Sequence, residues 1–282
     1  MKTVHTVKEL RDIIKEQKAN GKVIGFVPTM GNLHAGHTSL ITQAKQKSDF
    51  VVSSIFVNPT QFGAGEDFQR YPRTLDTDRA KLNSVQCDLL FAPDENEIYP
   101  GHSQDWVTVR VNEVSEEHCG SHREGHFEGV ALVVSKLFNM VQPDVAVFGK
   151  KDFQQLAVIR RLTHALNFPI EIIGGETVRE ANGLAMSSRN GFLSDEEKNN
   201  ASVLYQQLCH VKEQIEQGRR DFDQLAEDAE RHMADAGLLY EYFNVADQDT
   251  LKMADNTTTR FVVLTAAKMG NTRLIDNIDF EI

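Results

Sequence analysis

The sequence predicts an α/β protein: a parallel sheet with helices on both faces, followed by a smaller C-terminal α+β domain. Three observations predict it. Through the first two-thirds of the chain, short apolar runs of strand type alternate with amphipathic stretches of helical period. The loops after several of those runs carry Gly, amide and charged residues, as the carboxyl edge of one parallel sheet would. Near Ser194 the alternation stops, and two acidic helices precede three strand-like segments.

Taken in order, "TVKELRDIIKEQKANG" reads as a helix with Thr6 and Glu9 as a capping box and Gly21 as its stop. "KVIGFVPT" is a buried strand and "HAGHTSLITQAKQK" the helix after it. "FVVSSIFVN", "CDLLFAP", "VAVFG" and "IEIIGG" are further strands. "TLDTDRAKLNSVQ", "FEGVALVVSKLFNMVQ" and "DFQQLAVIRRLTHAL" are helices. "SDEEKNNASVLYQQLCHVKEQIEQG" is one capped helix, with Ser194 and Glu197 as its box and Gly218 as its end. A second acidic helix runs to Gly237. "LYEYFNVAD", "RFVVLTAAK" and "TRLIDNIDF" then read as antiparallel strands. The turn-rich stretch "TVREANGLAMSSRNG" marks the boundary, which gives domains 1–178 and 179–282.

With 282 residues and 40% hydrophobic content, the chain can bury a core in one large or two modest domains. A net charge of -11 argues against nucleic-acid and anionic-membrane partners. Between Ser194 and Asn256 there are 15 acidic and 6 basic residues, so an anionic substrate is easier to place in the more neutral remainder. Cys87, Cys119 and Cys209 form neither a C-x-x-C pair nor an obvious disulfide framework. The N-terminus does not read as a signal peptide, and no apolar run has the length of a membrane span. A soluble, reduced, cytoplasmic protein is expected.

The loops carry the chemistry. "GNLHAGHT" has P-loop spacing, but His37 stands where a P-loop has lysine, with His34 three residues earlier. The stretch follows a strand and opens a helix, whose N–H groups and dipole favour phosphate. Gly31 and Gly36 allow close approach of a ligand, and histidines at i and i+3 share a face of the first turn. A kinase loop, a zinc pair without a nearby third ligand, and two plain polar histidines are the competing readings. Beyond it, "FVNPTQFGAGEDFQRYPRT" carries Asn58, Gln61, Tyr71 and Arg73, and its G-x-G lacks the third glycine of a dinucleotide fingerprint. "GKKDFQQL" places Gly149 at a strand end and Lys151 just after it. "MSSRNG" adds two hydroxyls and an arginine.

As a set, "PTMGNLHAGH", "FVNPTQFGAGEDFQRYPRT", "HFEGVALVVSKLFNMVQPDVAVFGKKDFQQL" and "TVREANGLAMSSRN" closely resemble the pantoate–beta-alanine ligase family, of the HxGH-type nucleotidyltransferase superfamily. The resemblance runs in order through the N-terminal two-thirds. The C-terminal part matches in length and character only.

The resemblance implies an ATP-dependent ligase that condenses (R)-pantoate with beta-alanine. It gives pantothenate, AMP and pyrophosphate through a pantoyl adenylate, with Mg²⁺. It implies a Rossmann-like sheet and a homodimer. The C-terminal domain is expected to act as a lid, because "MSSR" lies at the domain junction and an acyl adenylate needs shielding from water. His34, His37, Lys151 and Arg189 would be catalytic, with His37 the proton donor and Lys151 neutralising phosphate charge. ATP would be held by Met30, Gly31, Asn32, Leu33, His34, Ala35, Gly36 and His37. From the later loops it would be held by Gly149, Lys150, Lys151, Asp152, Val178, Met186, Ser187, Ser188 and Arg189. Within that set Asp152 would lie near the ribose, and Val178 would present backbone to adenine. Gln61 and Gln155 would hold pantoate, Gln61 would also serve beta-alanine, and Arg123 would reach toward pyrophosphate. Two rivals remain: a nucleotide sensor without turnover, and a nucleotidyltransferase releasing a dinucleotide.

Overall fold

Strands built from uninterrupted apolar residues are buried on both faces, as a parallel sheet flanked by helices requires. The computed structural model describes residues 1–282. Its first sheet contains β1 (Lys2–Val4), β2 (Ile24–Thr29), β3 (Phe50–Ile55), β4 (Leu89–Phe91), β5 (Val145–Gly149) and β6 (Glu171–Gly175). All six are parallel, in the order β1-β4-β3-β2-β5-β6. β1 is the strand that the apolar pattern does not announce. It is three residues long and extends the edge of the sheet by pairing with β4.

The helices of this part are α1 (Val7–Ala19), α2 (Ala35–Lys45), α3 (Leu75–Ser84), α4 (Glu95–Ile98), α5 (Cys119–His122), α6 (His126–Val141) and α7 (Phe153–Ala165). The alternation of β-strand side chains sends Val27, Val51, Leu90 and Val147 into a core with Leu40 and Ile41 of α2 and Leu82 of α3. Phe148, of opposite parity to Val147, meets Phe138 of α6 edge-on at 6.3 Å. The sheet is therefore covered on both faces. The Thr6–Glu9 capping box forms as expected at the start of α1.

Strand order decides where a ligand can enter. From β2 the chain moves outward to β3 and β4, then crosses back so that β5 pairs with β2 on the other side. The carboxyl ends of β2 and β5 thus flank a topological switch point, where open α/β sheets bind ligands.

The C-terminal stretch folds as α8 (Asp195–Ala201), α9 (Val203–Glu216) and α10 (Phe222–Asp235), with an antiparallel sheet of β7 (Leu239–Asp247), β8 (Arg260–Met269) and β9 (Thr272–Glu281). The single helix expected from Ser194 to Gly218 is broken at Ser202, whose hydroxyl donates to the Asn199 carbonyl at 2.6 Å. Such back-bonding competes with helix continuation. The Ser194–Glu197 box forms as expected. β8 is central, and Phe261, Val263 and Ala267 join Leu204, Leu208, Leu225 and Met233 of α9 and α10 in a second core.

The chain forms two compact units. One comprises Met1–Val111, Arg123–Gly149 and Val158–Glu176; the other Asn112–His122, Lys150–Ala157 and Thr177–Ile282. The sequence pattern places residues 112–122 and 150–157 with the first domain. Their contacts explain why they group with the second unit. The Asn277 side chain donates to the carbonyls of Lys150 and Lys151, and His118 bonds Leu251 and Asn244. No helix is long and apolar enough to cross a membrane.

Candidate active site

The loop from β2 to α2 reverses through two left-handed residues, Gly31 (φ 83°) and Asn32 (φ 47°). A Cβ on Gly31 would stand 3.1 Å from Ile55 Cγ2 and 3.2 Å from Asp78 Oδ2, so both the conformation and the space call for glycine. Asp78, on α3, is fully buried. Its carboxylate accepts the N–H of Asn32 at 2.9 Å and of Leu33 at 2.7 Å, and the Thr74 hydroxyl at 3.1 Å. Lys81, one turn on, donates to the Leu33 carbonyl. The Leu33 side chain is core.

Two imidazoles complete the loop. His34 is the N-cap of α2, and its Nδ1 accepts the Gly36 N–H at 3.2 Å; His37 Nδ1 accepts the His34 N–H at 3.2 Å. This is a capping box made of two histidines, with ring centroids 4.1 Å apart. An Nδ1 that accepts carries no proton, so the neutral rings hold hydrogen on Nε2 and present it as a donor. The Gly31 N–H goes to Thr29 Oγ1 at 3.2 Å, and the His37 N–H to the His34 carbonyl. Six amides between Gly31 and His37 therefore have acceptors inside the loop or on Asp78. A P-loop offers such amides to phosphate; here those amides are taken within the protein.

Gln61 closes a short turn after β3. Asn58 Nδ2 donates to its Oε1 at 3.0 Å, which fixes the amide so that Nε2 points to Met30 Sδ at 3.3 Å. Sulfur is a weak acceptor, so that N–H₂ can turn to a better one. Asn58 is itself locked by Tyr99 OH, Thr60 Oγ1 and the Gly129 carbonyl. Gly129 on α6 must lack a side chain, because its Cβ would lie 2.3 Å from the Thr60 carbonyl oxygen. The histidine loop and Gln61 thus meet through Met30 in the first unit.

Arg123 does not reach outward. Its guanidinium binds Glu66 through Nε at 2.8 Å and Nη2 at 2.6 Å, and Nη2 also donates to the Gln61 carbonyl at 3.4 Å. Burial alone would push the Glu66 carboxyl up, but the Arg123 hydrogen bonds and charge outweigh it and hold it below its usual range.

In the second unit, two further loops are built onto β9. Asn277 Nδ2 grips the carbonyls of Lys150 and Lys151 at 3.0 and 2.7 Å. The Lys150 ammonium pairs with Asp279 at 3.1 Å, whereas Lys151 has only Asp152 at the 4.0 Å margin. Arg179 forks onto Asp276 at 2.6 and 3.0 Å, and its guanidinium stacks over Tyr205 at 3.5 Å. The Asp276 carboxyl is pushed up by burial and pulled back by Arg179. This anchor sets a tight reversal in which the Met186 N–H bonds the Val178 carbonyl at 3.0 Å and the Arg179–Ala185 pair bridges. Ser187 Oγ accepts the Arg189 N–H at 3.2 Å. Asn190, buried just beyond, ties the turn to Glu180 and Ala185. Gln154 is consumed by Val114, Glu117 and Cys119, while its half-buried neighbour Gln155 has no hydrogen-bond partner in the chain.

The sequence-predicted residues therefore divide. Residues 30–37, Gln61 and Gly149 belong to the first unit. Residues 150–152, Gln155, Val178 and 186–189 belong to the second. Sequence reasoning missed Asp78 and the lock on Gln61. A signal for Asp78 existed: Leu75, Asp78 and Leu82 share the i, i+3, i+7 face of α3. No group of three His, Cys, Asp or Glu side chains is placed to hold a metal.

Comparison with known proteins finds relatives along almost the whole chain. The family model described as pantoate-beta-alanine ligase matches residues 2–279. A pantothenate synthetase of Pseudomonas fluorescens (strain Pf0-1) is 57% identical over 278 residues, covering 99% of this chain and 97% of that protein. One from Marinobacter nauticus is 54% identical, covering 99% of each. Among solved structures, the pantothenate synthetase of Thermus thermophilus superposes with a TM-score of 0.89 at 42% identity, covering 99% of each chain. The pantoate-beta-alanine ligase of Francisella tularensis, complexed with beta-gamma ATP and beta-alanine, superposes with a TM-score of 0.81 at 32% identity, covering 99% of this chain and 97% of that one.

The Glu66–Arg123 pair gives a pH-dependent prediction. A carboxyl held low in the folded state contributes stability that is fully present above its unfolded value, 4.5 for Glu, and is lost as pH falls through the lower folded value. The stability difference between wild type and Glu66→Gln should be constant from pH 8 to about pH 5 and shrink below about pH 4.5. Denaturation midpoints of both proteins across that range check this, and a difference that grows on acidification would contradict it.

Proposed function

The chain belongs to the pantoate-beta-alanine ligase family, and we propose that its loops carry out that family's reaction in two steps. Pantoate's carboxylate attacks the α-phosphorus of ATP, a P–O bond forms, and pyrophosphate leaves. The amine of beta-alanine then attacks the acyl carbon, losing a proton as the C–N bond forms and AMP departs. The observation that carries this reading is the doubly capped histidine pair. It supplies Nε2–H donors from a loop whose own amides are engaged.

Each residue has a task that follows from its surroundings. In the adenylating step negative charge grows on phosphate oxygens, and positioned donors lower its energy without covalent help. His34 and His37 donate from Nε2. The capping bonds refine the expected role of His37 to hydrogen-bond donor, because protonating Nδ1 would set two N–H groups face to face. Lys151 supplies the positive charge that Lys150, paired with Asp279, does not. Ser187 and Arg189 add donors from a turn that Arg179 and Asn190 hold in shape. Val178 offers adenine its N–H, its carbonyl already accepting from Met186. Gln61 Nε2 and the unpartnered amide of Gln155 bind pantoate. Mg²⁺ would arrive on the triphosphate and offset part of its charge.

The reading is tested by isotope exchange between pyrophosphate and ATP. Exchange should require pantoate and proceed without beta-alanine, and AMP should accumulate only once beta-alanine is added. Exchange independent of pantoate, or none at all, would exclude a pantoyl adenylate.

The same assay checks His37. His37→Ala should slow exchange by roughly 10²–10³-fold, the range for one lost oxyanion donor. Adenylate formation at a near wild-type rate in His37→Ala would remove His37 from the phosphate site.

Gln61 makes a separate prediction. A glutamate there keeps the acceptor that Asn58 uses, but it replaces the Nε2 donor with negative charge facing an anionic substrate. Gln61→Ala should cost about 1–3 kcal/mol in kcat/KM for pantoate, the range for an unpaired polar group. Gln61→Glu should cost more. Equal kcat/KM in wild type and both variants would remove Gln61 from the pantoate site.

A further inference from the structure

The histidine loop is not held by packing alone. On one side it borders a cavity of about 340 Å³, lined by Met30, Gly31, Phe56, Phe68, Arg73 and Thr74 among others. Apolar contact cannot fix a loop that faces open space, so its geometry there rests on hydrogen bonds. The shortest of them donated by a backbone N–H runs from Leu33 to Asp78, with the Asn32 N–H and Thr74 hydroxyl on the same carboxylate.

Consecutive backbone N–H groups at a turn form a concavity that binds anions. Gly31 and Asn32, both at positive φ, make the turn here. Left without an internal acceptor, the amides of Asn32 and Leu33 would turn to the triphosphate. We propose that Asp78 is a positioning residue for adenylate formation. Its buried carboxylate occupies those two amides, which keeps the loop from closing on ATP as a backbone cradle. The phosphate-facing role then falls to His34 and His37 at a fixed height above the end of β2. This proposal rests on the reaction read above.

Asp78→Asn replaces one acceptor oxygen by an N–H₂ that opposes a backbone N–H, and it removes the charge. One loop amide is freed toward phosphate, and the histidines lose their register. The kcat of pantoate-dependent exchange should fall roughly 10- to 100-fold per folded molecule, as expected for misplacement of a reacting group by about an ångström. The KM for ATP should fall, since a freed donor and a lost negative charge both favour the triphosphate. A purely structural residue would lower the melting temperature and leave kcat per folded molecule and KM alone.

Asp78→Glu separates geometry from charge and serves if the asparagine variant folds poorly. Its added methylene displaces the amides while the charge stays, so kcat should fall without a fall in KM for ATP. Circular dichroism gives the folded fraction for each variant. An unchanged kcat per folded molecule, or an Asp78→Asn KM for ATP that stays or rises, overturns the proposal. If wild type shows no pantoate-dependent exchange, the reaction reading fails instead, so the two failures are distinct.

Discussion

Everything at the carboxyl end of β2 depends on where the loop's backbone donors go. A chain that leaves a strand through Gly31 and enters a helix at Ala35 would ordinarily expose several N–H groups to an anion. Here Thr29, Asp78 and the two imidazoles accept them. A buried carboxylate is costly unless it is hydrogen-bonded, and Asp78 offsets that cost with three donors. The same three bonds make a four-residue reversal rigid beside a cavity. P-loop spacing in "GNLHAGHT" thus produces a different device, in which Gly31 serves the turn and the loop's amides are taken within the protein.

The second unit follows a related logic with cations. Lys150 and Lys151 are adjacent in sequence and have opposite fates, because one ammonium has a carboxylate 3.1 Å away and the other has none nearer than 4.0 Å. Asn277 holds both carbonyls, so the backbone cannot exchange the two roles by a small rotation. Beside it on β9, Asp276 fixes Arg179 and with it the turn that carries residues 186–189. Both of these turns are therefore referenced to one strand, by side chains whose partners lie far away in sequence.

That distance explains what was legible in the sequence. The strands, the helices and the capping boxes at Thr6 and Ser194 are local, and apolar period and cap chemistry revealed them. β1 escaped because three residues show no period. The break at Ser202 escaped because one hydroxyl in an apolar-periodic stretch does not alter the pattern. The loops proposed to meet ligands stood out by their glycines, histidines and lysines. The groups that hold those loops were not. Asp78 lies 46 residues from Asn32 in sequence, and Asn277 lies 127 from Lys150. The grouping of residues 112–122 with the second unit was hidden for the same reason, since its bonds run to Asn244 and Leu251.

The two glutamines expected at pantoate show how much such supports decide. By residue type they are equivalent, each able to donate and accept. The structure makes them different. Asn58, itself held by Tyr99 and by the α6 backbone, occupies the Gln61 oxygen and leaves that side chain a donor. Gln155 has no partner in the chain and keeps both capacities. A substrate with a carboxylate and two hydroxyls needs donors fixed at the carboxylate and amphoteric groups at the hydroxyls. On the reading proposed above, the fixed amide of Gln61 suits the first need because it cannot flip to present an oxygen to an anion, and it would owe that to Asn58, Tyr99 and Gly129.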